Sequence, residues 1–271
     1  MFSSALGLRS LRPRRASQGH THWQRSCALA EWHDHEQLYV YNRGDSLLLD
    51  TDQAQLAKVL GIFKKYIIMD QVEVTNSSDS LTAIGVAGPK SRAVLLTVGL
   101  ELPELEPLQF ADLRWRDIAL TVVRGEAEKG EAYEIWLAPE KVREVWEALL
   151  HAGAKPLGTT ALDLLRVAMG IPKYGQDIRE RELPQETEQT RALNFTKGCY
   201  IGQEIVERVR SRGNVHRKWT GFAIDGPLPA AGSKIQLDGK DVGEITSVRA
   251  RHGGRIAIHR NPKVMRRKSY G

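Results

Sequence analysis

The run Lys197-Gly198-Cys199-Tyr200-Ile201-Gly202-Gln203-Glu204 sets one of only two cysteines in 271 residues between a lysine and the start of an amphipathic segment. A nearby ammonium and the unpaired amide N–H groups of a helix start both favour the ionised form of a thiol. The chemistry this spacing offers is therefore that of a reactive thiolate at Cys199, tuned by Lys197. Ile201, Ile205 and Val209 recur every four residues, while Glu204 and Arg208 pair at the same interval on another face. The spacing predicts a short helix beginning near residue 201, with Cys199 just ahead of it. The competing structural reading is a small buried residue in a tight turn, a common fate of a free cysteine.

The same eight residues, followed by Arg212-Gly213-Asn214-Val215, resemble the signature of the YgfZ family, the folate-binding relatives of the glycine-cleavage T-protein. Upstream, Leu165-Arg166-Val167-Ala168-Met169-Gly170-Ile171-Pro172, Gly175-Gln176-Asp177-Ile178 and Leu183-Pro184-Gln185-Glu186 fit further blocks of that family. Lys65-Tyr66-Ile67-Ile68-Met69-Asp70-Gln71-Val72-Glu73-Val74 and Val86-Ala87-Gly88-Pro89 fit earlier ones, so the resemblance covers residues 38–250. It implies an α+β fold: a GcvT-like folate-binding domain of antiparallel sheets and helices over residues 37–216, then a small C-terminal β-barrel domain over residues 217–271. It also implies tetrahydrofolate as the cofactor.

A pterin presents an amino group and ring N–H donors along one edge, which a carboxylate can accept in pairs, and the glutamate tail is anionic and needs a cation. Gly130-Glu131-Ala132-Tyr133-Glu134-Ile135 resembles the T-protein segment whose final glutamate grips the pterin edge, which maps that role to Glu134. Arg166 matches the arginine of the family's helix facing the same cavity, and Tyr174 falls at the tyrosine of the loop before Gly175, where it could pack against a ring. The resemblance further gives Gln203 and Glu204 the task of holding the turn after Cys199 or meeting a ligand at the helix start. Taken alone, Glu134 reads as well as a solvent-facing strand residue, and Arg166 as a surface helix charge. The shared template joins them, with both expected at one cavity and Cys199 near its mouth.

Two departures from the T-protein pattern divide the functional readings. The aspartate that orients folate and the reacting amine in the T-protein has no counterpart, since Gln37 stands directly before Leu38 and Asp34 lies several residues away. T-protein relatives also lack the thiol motif. Both departures favour a folate-binding protein that supports assembly or repair of iron-sulfur client enzymes, including enzymes that thiolate tRNA, with Cys199 as the redox-active or cluster-contacting thiol. The alternative is a folate-dependent aminomethyltransferase or demethylase, insensitive to Cys199→Ser and abolished by Glu134→Ala. A third reading, direct tRNA contact through Arg208, Arg210, Arg212, Arg217 and Lys218, is weaker. No aromatic residues interleave these charges, and Glu204 and Glu207 offset some of them.

Composition bounds these readings. A chain of 271 residues can bury a sizeable core, and its net charge of +6 is a mild basic excess that suits an anionic ligand. No apolar run approaches the ~20 residues needed to cross a bilayer. Cys27 and Cys199 offer neither a disulfide framework nor metal-ligand spacing, and the histidines, among them His20, His22, His33 and His35, fit no metal site. A reducing, cytoplasmic setting is expected, or the mitochondrial matrix if the N-terminus is a presequence. Residues 1–36 carry Arg9, Arg12, Arg14, Arg15 and Arg25 among serines, with no acidic residue before Glu31. They are expected to be an atypical basic segment, disordered or misread, standing where the family has further strands. The basic string Lys263, Arg266, Arg267 and Lys268 likewise predicts an incomplete barrel.

Between these ends, strands are predicted over 38–41, 46–49, 72–74, 81–86, 113–115, 118–123 and 133–137, and helices over 90–98, 140–151 and 160–169. After Thr51 or Asp52 as a cap, Leu56, Val59, Leu60 and Phe63 share one helical face. In the helix over 160–169, Leu162, Leu165 and Met169 form the apolar face and Arg166 lies elsewhere. From residue 218 the texture changes to short strands over 219–224, 233–237 and 242–248, punctuated by Gly226-Pro227, Gly232 and Asp238-Gly239.

Overall fold

The structure is a computed structural model that describes residues 3–10, 27–31, 37–69, 71–125, 131–168, 170–179, 183–186, 203–213, 217–224, 226–251 and 254–262. Two compact units divide the chain: Met1–Ala30 with Gln37–Pro156, and Glu31–Glu36 with Leu157–Gly271. Among the described residues no helix is long and apolar enough to cross a membrane.

The first unit is built on two antiparallel sheets. One contains β1 (Ser3–Ser10), β2 (Cys27–Glu31), β3 (Gln37–Asn42), β4 (Ser46–Asp52) and β5 (Val72–Asn76) in the order β2-β3-β4-β1-β5. The other contains β6 (Thr82–Gly88), β7 (Phe110–Trp115), β8 (Ile118–Arg124) and β9 (Glu131–Leu137) in the order β6-β9-β8-β7. Asn42-Arg43-Gly44-Asp45 is the turn between β3 and β4: Gly44 has φ +96°, and its N–H donates to Asn42 Oδ1 at 2.9 Å. Asp52 caps the chain after β4 by accepting from the Ala54 N–H at 2.9 Å, ahead of a 3₁₀ turn and α1 (Leu56–Tyr66). The helices α2 (Ser91–Thr97) and α3 (Val142–His151) complete the unit.

Side-chain alternation sorts this unit into layers. Leu38 and Leu49 leave one face of the first sheet to pack with Leu56 and Val59 of α1. Tyr41 leaves the other face and packs with Phe110, Val123 and Trp136 of the second sheet, forming a middle layer between the two sheets. The outer face of the second sheet sends Ile84, Val122, Tyr133, Ile135 and Leu137 against Leu95 of α2 and Val145 and Leu149 of α3. Each fully buried aliphatic side chain of this largest cluster contributes about 1.5–3 kcal/mol.

The N-terminal segment departs from expectation. β1 pairs with both β4 and β5, in registers that include Ala5↔Asp50 and Leu8↔Val74, and β2 borders β3. Strand pairing is a backbone property, and an Arg- and Ser-rich composition conceals it without preventing it.

The second unit contains α4 (Thr159–Ala168), α5 (Gln203–Arg212), β10 (Arg217–Ile224), β11 (Lys234–Leu237), β12 (Lys240–Arg251) and β13 (Gly254–Pro262). Its strands form an antiparallel sheet in the order β10-β13-β12-β11, with α4 packed on β12 and β13. Where a barrel was expected, the described residues form this four-stranded sheet, with β10 and β11 as its edges. β13 was not foreseen either, because Arg255, His259 and Arg260 mask its pattern. Asp238-Gly239 makes the β11–β12 turn with both residues at positive φ, +50° and +74°, the geometry that two-residue hairpins prefer. In α4 the expected faces are reversed: Arg166 and Val167 are buried, while Leu162 and Leu165 are 41% and 38% exposed.

Candidate functional site

Glu134 sits inside the second sheet, in register with Gly85 of β6 on one side and Val123 of β8 on the other. Alternation sends Tyr133 and Ile135 to the helix side and Glu134 and Trp136 into the middle layer. The Gly85 side is open, since a Cβ added there would meet nothing within 4 Å. Trp136 Nε1 donates to Glu134 Oε2 at 3.1 Å and is the one hydrogen-bond partner of this carboxylate among the described residues. Desolvation raises the Glu134 pKa above its ordinary value, and the indole N–H, which favours the ionised form, opposes part of that rise.

The position of Trp136 is itself held from the first sheet. Tyr41 meets Trp136 at 5.8 Å and Phe110 at 5.9 Å between ring centroids, both edge-on. Two residues further along, Arg43 Nη2 donates to Thr121 Oγ1 at 2.5 Å and lies 3.2 Å from Asp112 Oδ1, while Thr121 Oγ1 donates to Asp112 Oδ1 at 2.7 Å. Thr121 is the register partner of both Trp136 and Asp112, so this cluster ties the β3–β4 turn to the strands carrying Glu134 and its donor.

Arg166 has a different occupation. Its Nε donates to Asp163 Oδ1 at 2.7 Å, Nη1 to Asp177 Oδ2 at 2.5 Å and Ile171 O at 3.3 Å, and Nη2 to Gln176 Oε1 at 3.3 Å and Ser247 Oγ at 3.1 Å. A guanidinium has five N–H donors, and these acceptors use all of them. Asp177, 2% exposed, also accepts from the Lys173 N–H at 2.9 Å, Thr246 Oγ1 at 2.5 Å and Ser247 Oγ at 2.6 Å. Gln176 Nε2 closes the network on Thr246 O at 3.1 Å and Ser247 Oγ at 3.0 Å. The geometry makes Arg166 the centre of a buried lock between α4, the loop at 171–178 and β12, with no N–H left for a ligand's anionic tail.

The remaining residues singled out by sequence fall in three places. Tyr174 is half-buried in the loop at 171–178, bridged to Ile178, beside Gly175 at φ +80°. Gln203 and Glu204 open α5, which the Gln185 side chain ties to the preceding 3₁₀ turn through a 3.3 Å hydrogen bond from its Nε2 to Val206 O. Lys197 and Cys199 lie outside the described residues. Glu134 belongs to the first unit, whereas Arg166, Tyr174, Gln203 and Glu204 belong to the second. No group of residues suited to holding a metal occurs among the described residues.

Trp136, Arg43, Thr246 and Ser247 were not anticipated. Trp136 could have been, as the next residue of β9 on the face of Glu134. Thr246 and Ser247 stand about 80 positions from Arg166 and carry no local signal.

With this geometry in view, relatives become informative. Residues 36–197 match the model of the GCVT N-terminal domain, and the chain belongs to that family. It is 29% identical over 220 residues to an aminomethyltransferase of Thermoanaerobacter pseudethanolicus, covering 78% of this chain and 60% of that protein. It is 32% identical over 185 residues to an aminomethyltransferase of Halothermothrix orenii, covering 65% and 51%. The chain thus spans between half and three fifths of the length of these curated relatives. The glycine cleavage system aminomethyltransferase T of Bartonella henselae shares the fold, with a TM-score of 0.78 at 18% identity over 96% of this chain and 76% of that one.

Proposed function

We propose that this chain binds tetrahydrofolate and acts as a one-carbon transferase of the aminomethyltransferase type. Two things support the reading: membership of the GCVT family and the environment of Glu134. That environment carries the argument. A desolvated carboxylate with a single donor among the described residues retains lone pairs on both oxygens, which suits the paired N–H groups along a pterin edge. The open flank at Gly85 and the neighbouring Ala83 and Ala87 in register on β6 leave room for a flat ring beside it. Bound tetrahydrofolate supplies the amine nitrogens that take up a one-carbon unit. Glu134 would orient the ring and Trp136 would keep the carboxylate ionised, while Arg166 would hold the second unit together and leave the ligand to others.

The test is titration of the chain with tetrahydrofolate, followed by Glu134→Gln. Saturable binding that weakens at least about tenfold in the variant, with its melting temperature kept, is the expected result. Equal affinity in both proteins would remove Glu134 from the site.

A second reading rests on Cys199 and its neighbours, the part of the chain resembling the YgfZ family. There the chain would support iron-sulfur enzymes, with folate bound at the same place and the thiol doing the work. Lys197 and Cys199 lie just upstream in sequence of α5, which runs over Gln203–Arg212. Faster alkylation of Cys199 than of Cys27 at neutral pH, and failure of Cys199→Ser to restore iron-sulfur enzyme activity in cells lacking the native protein, would favour this reading. Full rescue by Cys199→Ser would favour the transferase.

A further inference from the structure

The β7–β8 hairpin closes on a turn of two residues, Arg116 and Asp117, between the register partners Trp115 and Ile118. Arg116 has φ +53°, in the left-handed region that favours glycine, so its backbone is strained. Its side chain offsets that strain. The guanidinium lies over the Trp115 ring, 4.3 Å from the centroid, and its Nη1 donates to Glu144 Oε1 of α3 at 3.2 Å. Both contacts face solvent: the Arg116 side chain is 63% exposed and that of Glu144 39%. A strained backbone held by exposed contacts is one that a competing ligand can displace.

Trp115 and Arg116 border a cleft of about 460 Å³ that the C-terminal end of α2, at Thr97 and Val98, and one face of α3 complete. On α3 the lining residues Glu144, Glu147, Ala148 and His151 follow the i, i+3, i+4, i+7 spacing of a single face. The polar groups here are acceptors. His151 Nδ1 lies 2.7 Å from Glu147 O, a carbonyl that can only accept, so Nδ1 carries the proton and Nε2 of the neutral ring keeps its lone pair. Glu147 Oε1 accepts from Arg143 Nε at 2.8 Å, but the Arg143 side chain is 89% exposed and water competes for it. The Thr97 hydroxyl donates to Ala93 O at 2.9 Å and Trp115 Nε1 to Val98 O at 2.6 Å, which leaves Arg116 as the donor among the lining side chains. The C-terminal ends of α2 and α3 add the negative poles of their dipoles.

We propose that this cleft binds a guanidinium on an aliphatic stem, the group that an arginine side chain carries, and that Arg116 occupies part of it as a displaceable internal ligand. An acceptor-rich cleft with two carboxylates calls for a cation bearing several N–H donors. A metal ion does not meet that description, since no group of residues suited to holding one occurs among the described residues. Arg116 shows how a guanidinium is received, over the indole and hydrogen-bonded to Glu144. Glu147 supplies the second carboxylate, and Val98, Ala148 and Ala152 give the stem an apolar wall. The cleft belongs to the first unit and uses neither Glu134 nor Trp136, so it stands apart from the folate reading.

The experiment titrates the whole chain, at constant ionic strength, with butylguanidinium and in parallel with butylurea, its neutral counterpart, while the indole N–H resonance of Trp115 is followed. Butylguanidinium should shift that resonance saturably in wild type, and butylurea should not. Glu147→Gln should weaken binding at least about fivefold. Arg116→Gly vacates the ring face, frees Glu144 and relieves the strained φ, so it should strengthen binding at least about fivefold. No saturable shift in wild type, or equal binding of the two compounds, overturns the site. Unchanged affinity in Glu147→Gln places the guanidinium outside this cleft and overturns it as well. Unchanged or weaker affinity in Arg116→Gly overturns the assignment of Arg116 as an internal ligand.

Discussion

Glu134 and Arg166 were drawn into one template by sequence, and the structure gives them opposite surroundings. Among the described residues Glu134 has one donor, with an open flank and a desolvated carboxylate. Arg166 has five acceptors for five N–H groups and a buried aspartate beside it. A charged residue with unused capacity in a partly dry layer can take a ligand. One whose capacity is filled by its own chain can only hold that chain together. The difference lies in hydrogen-bond saturation, which neither residue type nor position in an element reveals.

The largest expected effect comes from breaking the filled side. Arg166→Ala should destabilise the second unit by about 3–5 kcal/mol, since it strands the carboxylate of Asp177 among groups built to share it. Denaturant unfolding should show this as a large fall in midpoint. Asp177→Ala should cost a similar amount, and the double variant much less than the sum of the two. Strictly additive losses would mean that the pair is not coupled.

Glu134→Gln should do the reverse. Burial raises the Glu134 pKa in the folded chain, so its contribution to stability is present below its unfolded pKa and lost as pH rises through the folded value. At neutral pH the variant should therefore be at least as stable as wild type, with a flatter pH dependence, while tetrahydrofolate affinity falls. Melting curves across pH check the first part, and a lower melting temperature at neutral pH would contradict it.

A subtler change is Trp136→Phe, which removes the one donor to Glu134 among the described residues while keeping an aromatic ring against Tyr41. A hydrogen bond to a charged group is worth about 1.5–3 kcal/mol, less where solvent reaches it, so the Glu134 pKa should climb further. Weakening of tetrahydrofolate binding on acidification should then begin at higher pH than in wild type.

The smallest effect belongs to Glu244, whose carboxyl is held at about 2 by Arg179 at 2.6 Å and by Lys234 at 2.8 Å. Its contribution is present above the ordinary carboxylate value and is lost as pH falls from there towards about 2. Arg179 and Lys234 are well exposed, so salt should screen much of it. Glu244→Gln should slightly flatten the acid limb of the stability profile at low ionic strength and leave it unchanged at high salt.

Local patterns were legible where local physics decides. The alternation of Ile118, Leu120 and Val122 gave β8, the Leu56, Val59, Leu60 and Phe63 face gave α1, and Asn42-Arg43-Gly44-Asp45 gave the turn between β3 and β4. The helix at 160–169 was located, but its apolar face was misjudged. Leu162 and Leu165 look like its core, yet Arg166 is buried in their stead because its partners arrive from the 171–178 loop and from β12. β1 and β13 were missed for a related reason. A strand's place in a sheet is a matter of backbone pairing with distant segments, and their compositions argued the other way.

By itself the sequence determined the period of each clear element, the turns demanded by Gly, Asn and Asp, the thiol motif at Cys199, and Glu134 as a strand residue worth testing. The periods and turns depend on neighbours within a few positions, where spacing fixes geometry, whereas Glu134 was singled out by the family resemblance. Only the tertiary structure decided that Arg166 is consumed by Asp163, Ile171, Gln176, Asp177 and Ser247, and that Glu134 is left with Trp136 alone among the described residues. Saturation and facing are set by contacts between residues up to 81 positions apart, and the free energy of a buried charge depends on those contacts rather than on the residue's own identity.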